Sequence, residues 1–298
     1  MSQTTFRVDL CLSRPSDSGS KIKLGADMAV RDVSNRSISE LISLAGRKAV
    51  VTGGARGIGL AISRRLAEAG ATVLIGDLNR AGAEDAAAQI RTAGGKAVPG
   101  WVDVTDTASV VAVADKALSE LGGLDIWVNN AGIYPSKPLL EITDDDWDRV
   151  LNVNLRGTFV AAREAGRRMV EAGEGGVIVN LASLAGFSAY GPGFAHYTPS
   201  KHGVIGLTKS LAVELGPYNI RVLAVAPTLT DTPGLAEGLE AYRAVGLDDV
   251  MEQVAARQPL RRNAVPDDIA RVVLFCASDL AMLMTGSTLL VDAGDVAV

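Results

Sequence analysis

Tyr197 and Lys201 stand four positions apart in a stretch that reads as helical, so their side chains share one face. An isolated phenol titrates near about 10 and is a poor base at neutral pH; a neighbouring ammonium favours the phenolate and lowers that value. Such a pair can exchange a proton with a substrate oxygen. Far upstream, Thr52-Gly53-Gly54-Ala55-Arg56-Gly57-Ile58-Gly59 lies between a short apolar run and a helical stretch. Glycines there permit a sharp turn and close approach of backbone to a phosphate. The helix N-terminus behind them offers unpaired N–H groups and the positive end of a dipole. A turn in that setting points to a bound pyrophosphate, hence to a dinucleotide. Asp77, 18 residues after Gly59, ends the next apolar run. A carboxylate there grips adenosine ribose hydroxyls and repels a 2′-phosphate, which favours NAD. Arg56, whose guanidinium could pair with such a phosphate, keeps NADP possible.

These groups need a frame that brings residue 53 to residue 201. From Arg47 onward, short apolar runs alternate with helical stretches. The pattern predicts strands at 48–52, 72–76, 97–102, 124–129, 176–181, 220–225 and 288–292. Helices are predicted at about 57–70, 80–93, 107–121, 145–172, 196–216 and 266–278. Strands apolar on both faces and separated by helices imply an α/β fold, a doubly wound parallel sheet of about seven strands with helices on both faces. Residues 228–262 break the alternation and read as a lid over the ligand crevice. Residues 1–40 are polar and aperiodic, an extension either poorly ordered or docked, with a short helix at about 38–45 leading into a single domain over 41–298. Met28 is an alternative start.

Composition narrows the function. Of the 298 residues, 48% are hydrophobic and the net charge is -5. No long basic run suggests nucleic acid. No apolar run reaches the roughly 18–20 residues that span a bilayer, and the N-terminus lacks the order of a secretory signal. A cytoplasmic protein is expected. Two cysteines, Cys11 and Cys276, make no disulfide framework, and with two histidines they offer little for zinc. No metal is expected.

Taken in order, the motifs resemble those of the short-chain dehydrogenase/reductase family, in its basic single-domain form, over about residues 45–295. The turn from Thr52 to Gly59 matches Thr-Gly-x-x-x-Gly-x-Gly. Asp103-Val104 resembles the family's adenine-contacting pair. Asn129-Asn130-Ala131-Gly132 matches Asn-Asn-Ala-Gly, and Asn154 matches the helical active-site asparagine. Ser183, 14 residues before Tyr197, and Tyr197-Thr198-Pro199-Ser200-Lys201 complete the set. The resemblance implies hydride transfer between a nicotinamide and a secondary alcohol or ketone, with Tyr197 as general acid/base. Ser183 would steady the substrate oxygen, Lys201 would hold the nicotinamide ribose, and Asn154 would help place a water linking Lys201 to solvent. Catalytic residues would thus be Asn154, Ser183, Tyr197 and Lys201. The cofactor residues would be Gly53, Arg56, Gly57, Ile58, Gly59, Asp77, Asp103, Val104, Asn130, Ala131, Gly132, Tyr197, Lys201, Pro227 and Thr232. It also implies a homotetramer whose interface uses the helices around 145–172 and 196–216.

Several residues leave alternatives open. Thr228 stands where the family often has Gly after Pro227, so Thr232 reads either as a carboxamide contact or as a turn at the lid base. Asp103 could simply join a strand to a helix, and Asn154 could simply satisfy backbone groups. His196, beside Tyr197, points off the Tyr/Lys face and is assigned to packing or solvent, as is His202. Tyr134, Phe187, Tyr190 and Phe194, within 133–138 and 184–194, suggest an apolar or mixed pocket or subunit packing. A catalytically idle dinucleotide-binding scaffold or redox sensor is the rival function. Retention of Asn154, Ser183, Tyr197 and Lys201 together counts against it. The three-residue gap between Tyr197 and Lys201 argues against the family's enoyl-reductase branch, which has a longer one.

Overall fold

Alternate residues along each strand serve opposite faces of a sheet, and a strand covered on both sides must be apolar throughout. Ala49, Val50 and Val51 are all fully buried, as are Val222 to Ala226. The computed structural model describes residues 30–189, 191–235 and 250–297. Seven strands form one parallel sheet: β1 Lys48–Thr52, β2 Thr72–Asp77, β3 Lys96–Trp101, β4 Ile126–Asn129, β5 Gly176–Leu181, β6 Ile220–Pro227 and β7 Thr288–Val291. Their order is β3-β2-β1-β4-β5-β6-β7, so the chain reverses its winding between β1 and β4, where ligands bind in such sheets.

The connecting helices are α1 Ile38–Ile42, α2 Gly57–Glu68, α3 Arg80–Thr92, α4 Thr107–Lys116, α5 Asp144–Leu151, α6 Gly157–Ala172, α7 Tyr197–Leu215, α8 Val250–Arg257 and α9 Pro266–Ala277. On one face Ile62 and Leu66 of α2, Ile90 of α3 and Ile269 of α9 pack with Ala49 and Val51. On the other, Val113 of α4, Val160 of α6 and Leu211 of α7 pack with Val50 and Trp127. The sequence expectation of a doubly wound parallel sheet is met, with strand limits within two residues of the reading.

One element differs. The stretch read as a continuous helix over 145–172 is two helices joined by a π turn, Asn152–Arg156. Its one extra residue per turn carries buried Asn154 inward. The short helix expected at 38–45 ends at Ile42, and Arg36 just before it pairs with Asp279 at 2.9 Å. Within 228–262, α8 is described and Thr230 bridges to Ala264; residues 236–249 lie outside the described residues, as do 1–29 and Tyr190. Among the described residues, no helix is long and apolar enough to cross a membrane and no cluster could hold a metal ion. Cys276 is buried and free.

Candidate active site

The turn after β1 and the end of β4 are tied together at the winding reversal. Thr52 Oγ1 accepts the N–H groups of Asn130 and Ala131 at 3.1 and 3.2 Å, and Asn130 Nδ2 donates to the carbonyls of Thr52 and Gly53 at 3.0 and 2.9 Å. Gly53 and Gly57 take φ values of 63° and 55°, which residues with a Cβ avoid. A Cβ on Gly53 would stand 2.9 Å from Ala131 Cα, and one on Gly59 would stand 2.0 Å from the Gly53 carbonyl oxygen. The cradle therefore exists only with glycine at these positions. Arg56, the N-cap of α2, uses no side chain to cap it, so a bound anion has no side-chain competitor for the helix N-terminus. Asp77 Oδ2 accepts from Ala55 N–H at 3.0 Å, which sets its carboxylate against the same turn.

The four residues expected to be catalytic come together. Ser183 follows β5; its hydroxyl accepts from Ala185 N–H at 3.1 Å and lies near enough to the Tyr197 phenol to favour the phenolate. Tyr197 opens α7, half-buried, with Tyr134 and Phe194 packed edge-on at 6.4 and 6.0 Å between ring centroids. One turn on, Lys201 is buried; its Nζ donates to the Leu181 carbonyl at 2.7 Å and stands 5.8 Å from the Tyr197 ring centroid. Asn154 reaches the same place from the π turn. Its amide exchanges two bonds with the backbone of Ile133, at 2.9 and 2.8 Å, and donates to Ser200 Oγ at 3.1 Å. Ser200 Oγ in turn donates to the Tyr197 carbonyl at 2.6 Å.

Burial dominates the electrostatics. It pushes the Tyr197 phenol up to about 12, with the Ser183 hydroxyl opposing the rise and Tyr134 adding to it. It brings the Lys201 ammonium down to about 8. The Lys201 ammonium donates to the Leu181 carbonyl, and burial outweighs the other influences on the phenol. The phenol is thus held as an acid at neutral pH.

The remaining expected residues divide. Ile58 lies in the first turn of α2, and Gly132 lies beside Asn154 Oδ1 and Lys201 Nζ. Asp103 Oδ1 is engaged by Thr105 N–H and Oγ1 at 2.9 and 2.7 Å, and Val104 is buried against Gly157. Pro227 ends β6, and Thr232 both accepts from Leu235 N–H at 3.1 Å and approaches Gly57. Asn129 does not reach the site. It joins Trp127 to Asn180, which continues to Thr208, all buried. Sequence reasoning missed Asn180, Thr208, Ser200 and the Leu181 carbonyl. Only Asn180 carried a signal, as a polar residue inside an apolar strand. His196 is buried rather than solvated, and caps α7 through Tyr197 N–H. Phe187 is exposed.

The family model described as enoyl-(acyl carrier protein) reductase matches residues 53–295. The chain is 45% identical over 259 residues to cis-4-hydroxycyclohexanecarboxylate dehydrogenase of Sinomonas cyclohexanicum, covering 86% of this chain and 99% of that protein. It is 41% identical over 251 residues to D-threitol dehydrogenase of Mycolicibacterium smegmatis, covering 84% and 93%. A solved short-chain type dehydrogenase/reductase from Mycobacterium marinum superposes with a TM-score of 0.81 at 36% identity, covering 87% of this chain and 99% of that one.

Gly59→Ala is expected to destabilise the protein toward the upper end of the about 1–3 kcal/mol typical of overpacking, since the clash is with backbone. Thermal melting checks this; an unchanged melting temperature would show that the turn yields freely.

Proposed function

The chain belongs to the short-chain dehydrogenase/reductase family and is an oxidoreductase, and on that premise we propose that it moves a hydride between NAD(H) and a secondary alcohol or ketone, with Tyr197 exchanging the proton. The observation that carries this reading is the meeting of the Ser183 hydroxyl, the Tyr197 phenol and Lys201 beyond the carboxyl end of β5. The glycine cradle and uncapped start of α2 fit a dinucleotide. Gly53, Arg56, Gly57, Ile58 and Gly59 would hold its pyrophosphate and Asp77 its adenosine ribose. Asp103, Val104, Asn130, Ala131, Gly132, Pro227 and Thr232 would complete its site. Asn130 would act through the turn it ties, and Asp103 through the loop it shapes. A bound nicotinamide supplies or accepts the hydride.

The chain's own residues manage the proton. In reduction, the Ser183 hydroxyl donates a hydrogen bond to the carbonyl oxygen as negative charge builds there, and the Tyr197 phenol gives its proton to that oxygen. In oxidation the alcohol O–H gives its proton to the phenolate. Lys201 Nζ stands 5.8 Å from the centroid of that phenol's ring, and re-aimed from Leu181 it favours the phenolate. Asn154 holds the backbone at Ile133 and the first turn of α7 through Ser200. The three-residue gap between Tyr197 and Lys201 supports alcohol chemistry over double-bond reduction. So do relatives named for a hydroxycyclohexanecarboxylate and for threitol.

NAD is favoured because Asp77 sits at the turn while Arg56 is exposed. We further read residues 1–40 as an extension of one catalytic domain, 41–298, whose lid spans about 228–262, acting in the cytoplasm. A homotetramer through the helices around 145–172 and 196–216 is supported by exposed Trp147, Phe159 and Val213 and by an apolar cleft lined by Leu151, Leu155, Phe159 and Leu207.

Tyr197→Phe is expected to remove most turnover while leaving dinucleotide binding largely intact. In the wild type, reduction should be flat in kcat/KM across neutral pH, since the raised phenol stays protonated. Oxidation, which needs the phenolate, should climb with pH. Turnover by the variant comparable to wild type, or oxidation that falls from neutral to mildly alkaline pH, removes Tyr197 from this role. Asp77→Ala should narrow the preference for NAD over NADP, read as the ratio of kcat/KM values; an unchanged ratio transfers the discrimination to Arg56. Light scattering should return four times the chain mass, and a monomer at working concentration overturns the tetramer.

A further inference from the structure

The imidazole of His196 is fully buried and sits at the N-cap of α7, the helix that carries both Tyr197 and Lys201. A helix start leaves its first N–H groups without intrahelical partners. Here the N–H of Thr198 is taken by the Phe194 carbonyl at 2.9 Å, and Pro199 has none. The N–H of Tyr197 goes to His196 Nδ1 at 3.0 Å. An accepting Nδ1 places the ring proton on Nε2, and Nε2 is buried with no hydrogen-bond partner among the described residues. A buried donor left unpaired is costly. The ring accepts that cost with Nδ1 committed to the backbone of the residue that exchanges the proton.

We propose that His196 is a positioning residue for the Tyr197 reaction, a neutral imidazole that locks the first turn of α7 and unlocks it when protonated. The proposal rests on the reading of Tyr197 given above. An imidazolium carries N–H at both nitrogens, so protonation would set a donor against the Tyr197 N–H and bury a charge. The charged groups acting on the ring come from the two elements packed beside it. Asp146, in the first turn of α5, favours the imidazolium, and Lys137, on the loop after β4, opposes it. These two pair with each other at 2.6 Å, so their effects largely cancel. On its own helix the ring faces Tyr197, with Lys201 one turn further on. Burial is the largest influence and keeps the ring neutral below the ordinary histidine range. Lys137 also donates its backbone N–H to the Gly193 carbonyl at 3.0 Å, which holds the segment leading into His196. The glycine cradle is held by its own hydrogen bonds between Thr52, Gly53, Asn130 and Ala131, so unlocking the first turn of α7 displaces the phenol while those bonds stay made.

The test pairs two variants with a spectrum. His196→Asn keeps a side-chain acceptor at the N-cap without a titrating group, and should hold kcat within about threefold at neutral pH. The wild type is expected to show an acid limb in kcat below the ordinary histidine range, and this variant is expected to lose it. His196→Leu removes the acceptor and should lower kcat about 10- to 100-fold at every pH, with dinucleotide Kd changed far less than kcat. The protein has two histidines, so nitrogen-15 histidine labelling with His202→Gln assigns both rings. His196 should show the Nε2–H tautomer at neutral pH and should titrate together with the acid limb of kcat. Wild-type kcat and pH profile in His196→Leu overturn the proposal. So does an Nδ1–H tautomer, or an acid limb that survives in His196→Asn. Tyr197→Phe separates the two readings. If it keeps its turnover, the reading of the site falls and this proposal with it. If it is inactive while His196→Leu is as fast as wild type, only this proposal falls.

Discussion

The turn after β1 and the chain leaving β4 are packed too tightly to admit a side chain between them. Gly53 and Gly59 leave no room for a methyl group, and Asn130 and Thr52 lash the two segments together from either side. The parallel pairing of β1 with β4 brings these ends side by side, because their connections leave toward opposite faces of the sheet. That single contact fixes where the start of α2 points. It also fixes where the segment through Gly132 passes, beside Lys201 and Asn154. An Asn130 side chain occupied in this way has no donor to spare for a ligand. Its presence in the motif reflects the shape of the turn.

The frame was readable because buried parallel strands are apolar throughout. β1, β5 and β6 begin where the apolar runs of Lys48, Gly176 and Ile220 begin. The motif residues were readable as types in order. Their partners were not. Nothing in the sequence around Lys201 says that its ammonium turns to the Leu181 carbonyl, a contact between residues 20 apart that only the packing of α7 on β5 creates. The π turn at Asn152–Arg156 was equally hidden. Periodicity reports which residues are apolar, and one extra residue in a turn between two amphipathic helices barely alters that pattern. His196 packs in the interior, one of the two roles its type and position suggested, but its place as the N-cap of α7 was not legible from a helical wheel.

Thr228 shows how a departure from a family pattern can be absorbed. Its hydroxyl accepts from Gln258 Nε2 at 2.9 Å and meets Asp295 Oδ2 at 3.4 Å, while Arg257 grips the same carboxylate with two bonds of 2.9 and 3.0 Å. The end of β6, the end of α8 and the chain's last turn are joined at one buried point. A glycine at 228 would leave Gln258 without that acceptor and Asp295 with one partner fewer. The base of the segment over the crevice is therefore held by polar groups from three separate stretches, each of which needs the other two.

Lys201 is the group whose energetics constrain the site most. An ammonium removed from water is expensive unless its protons are satisfied, and a buried cation responds by losing affinity for its proton. Here one carbonyl at 2.7 Å is its hydrogen-bond partner, and burial brings it down to about 8. The neighbouring phenol, burdened the same way, moves in the opposite direction. The two shifts together make the neutral phenol beside a loosely held proton the resting arrangement. Any positive or hydrogen-bond-donating group entering beside Tyr197 strengthens the phenolate, and through it the ammonium. Desolvation thus leaves the pair responsive: the protonation state of the site is decided by what binds there, and the fold supplies two groups close enough to feel it.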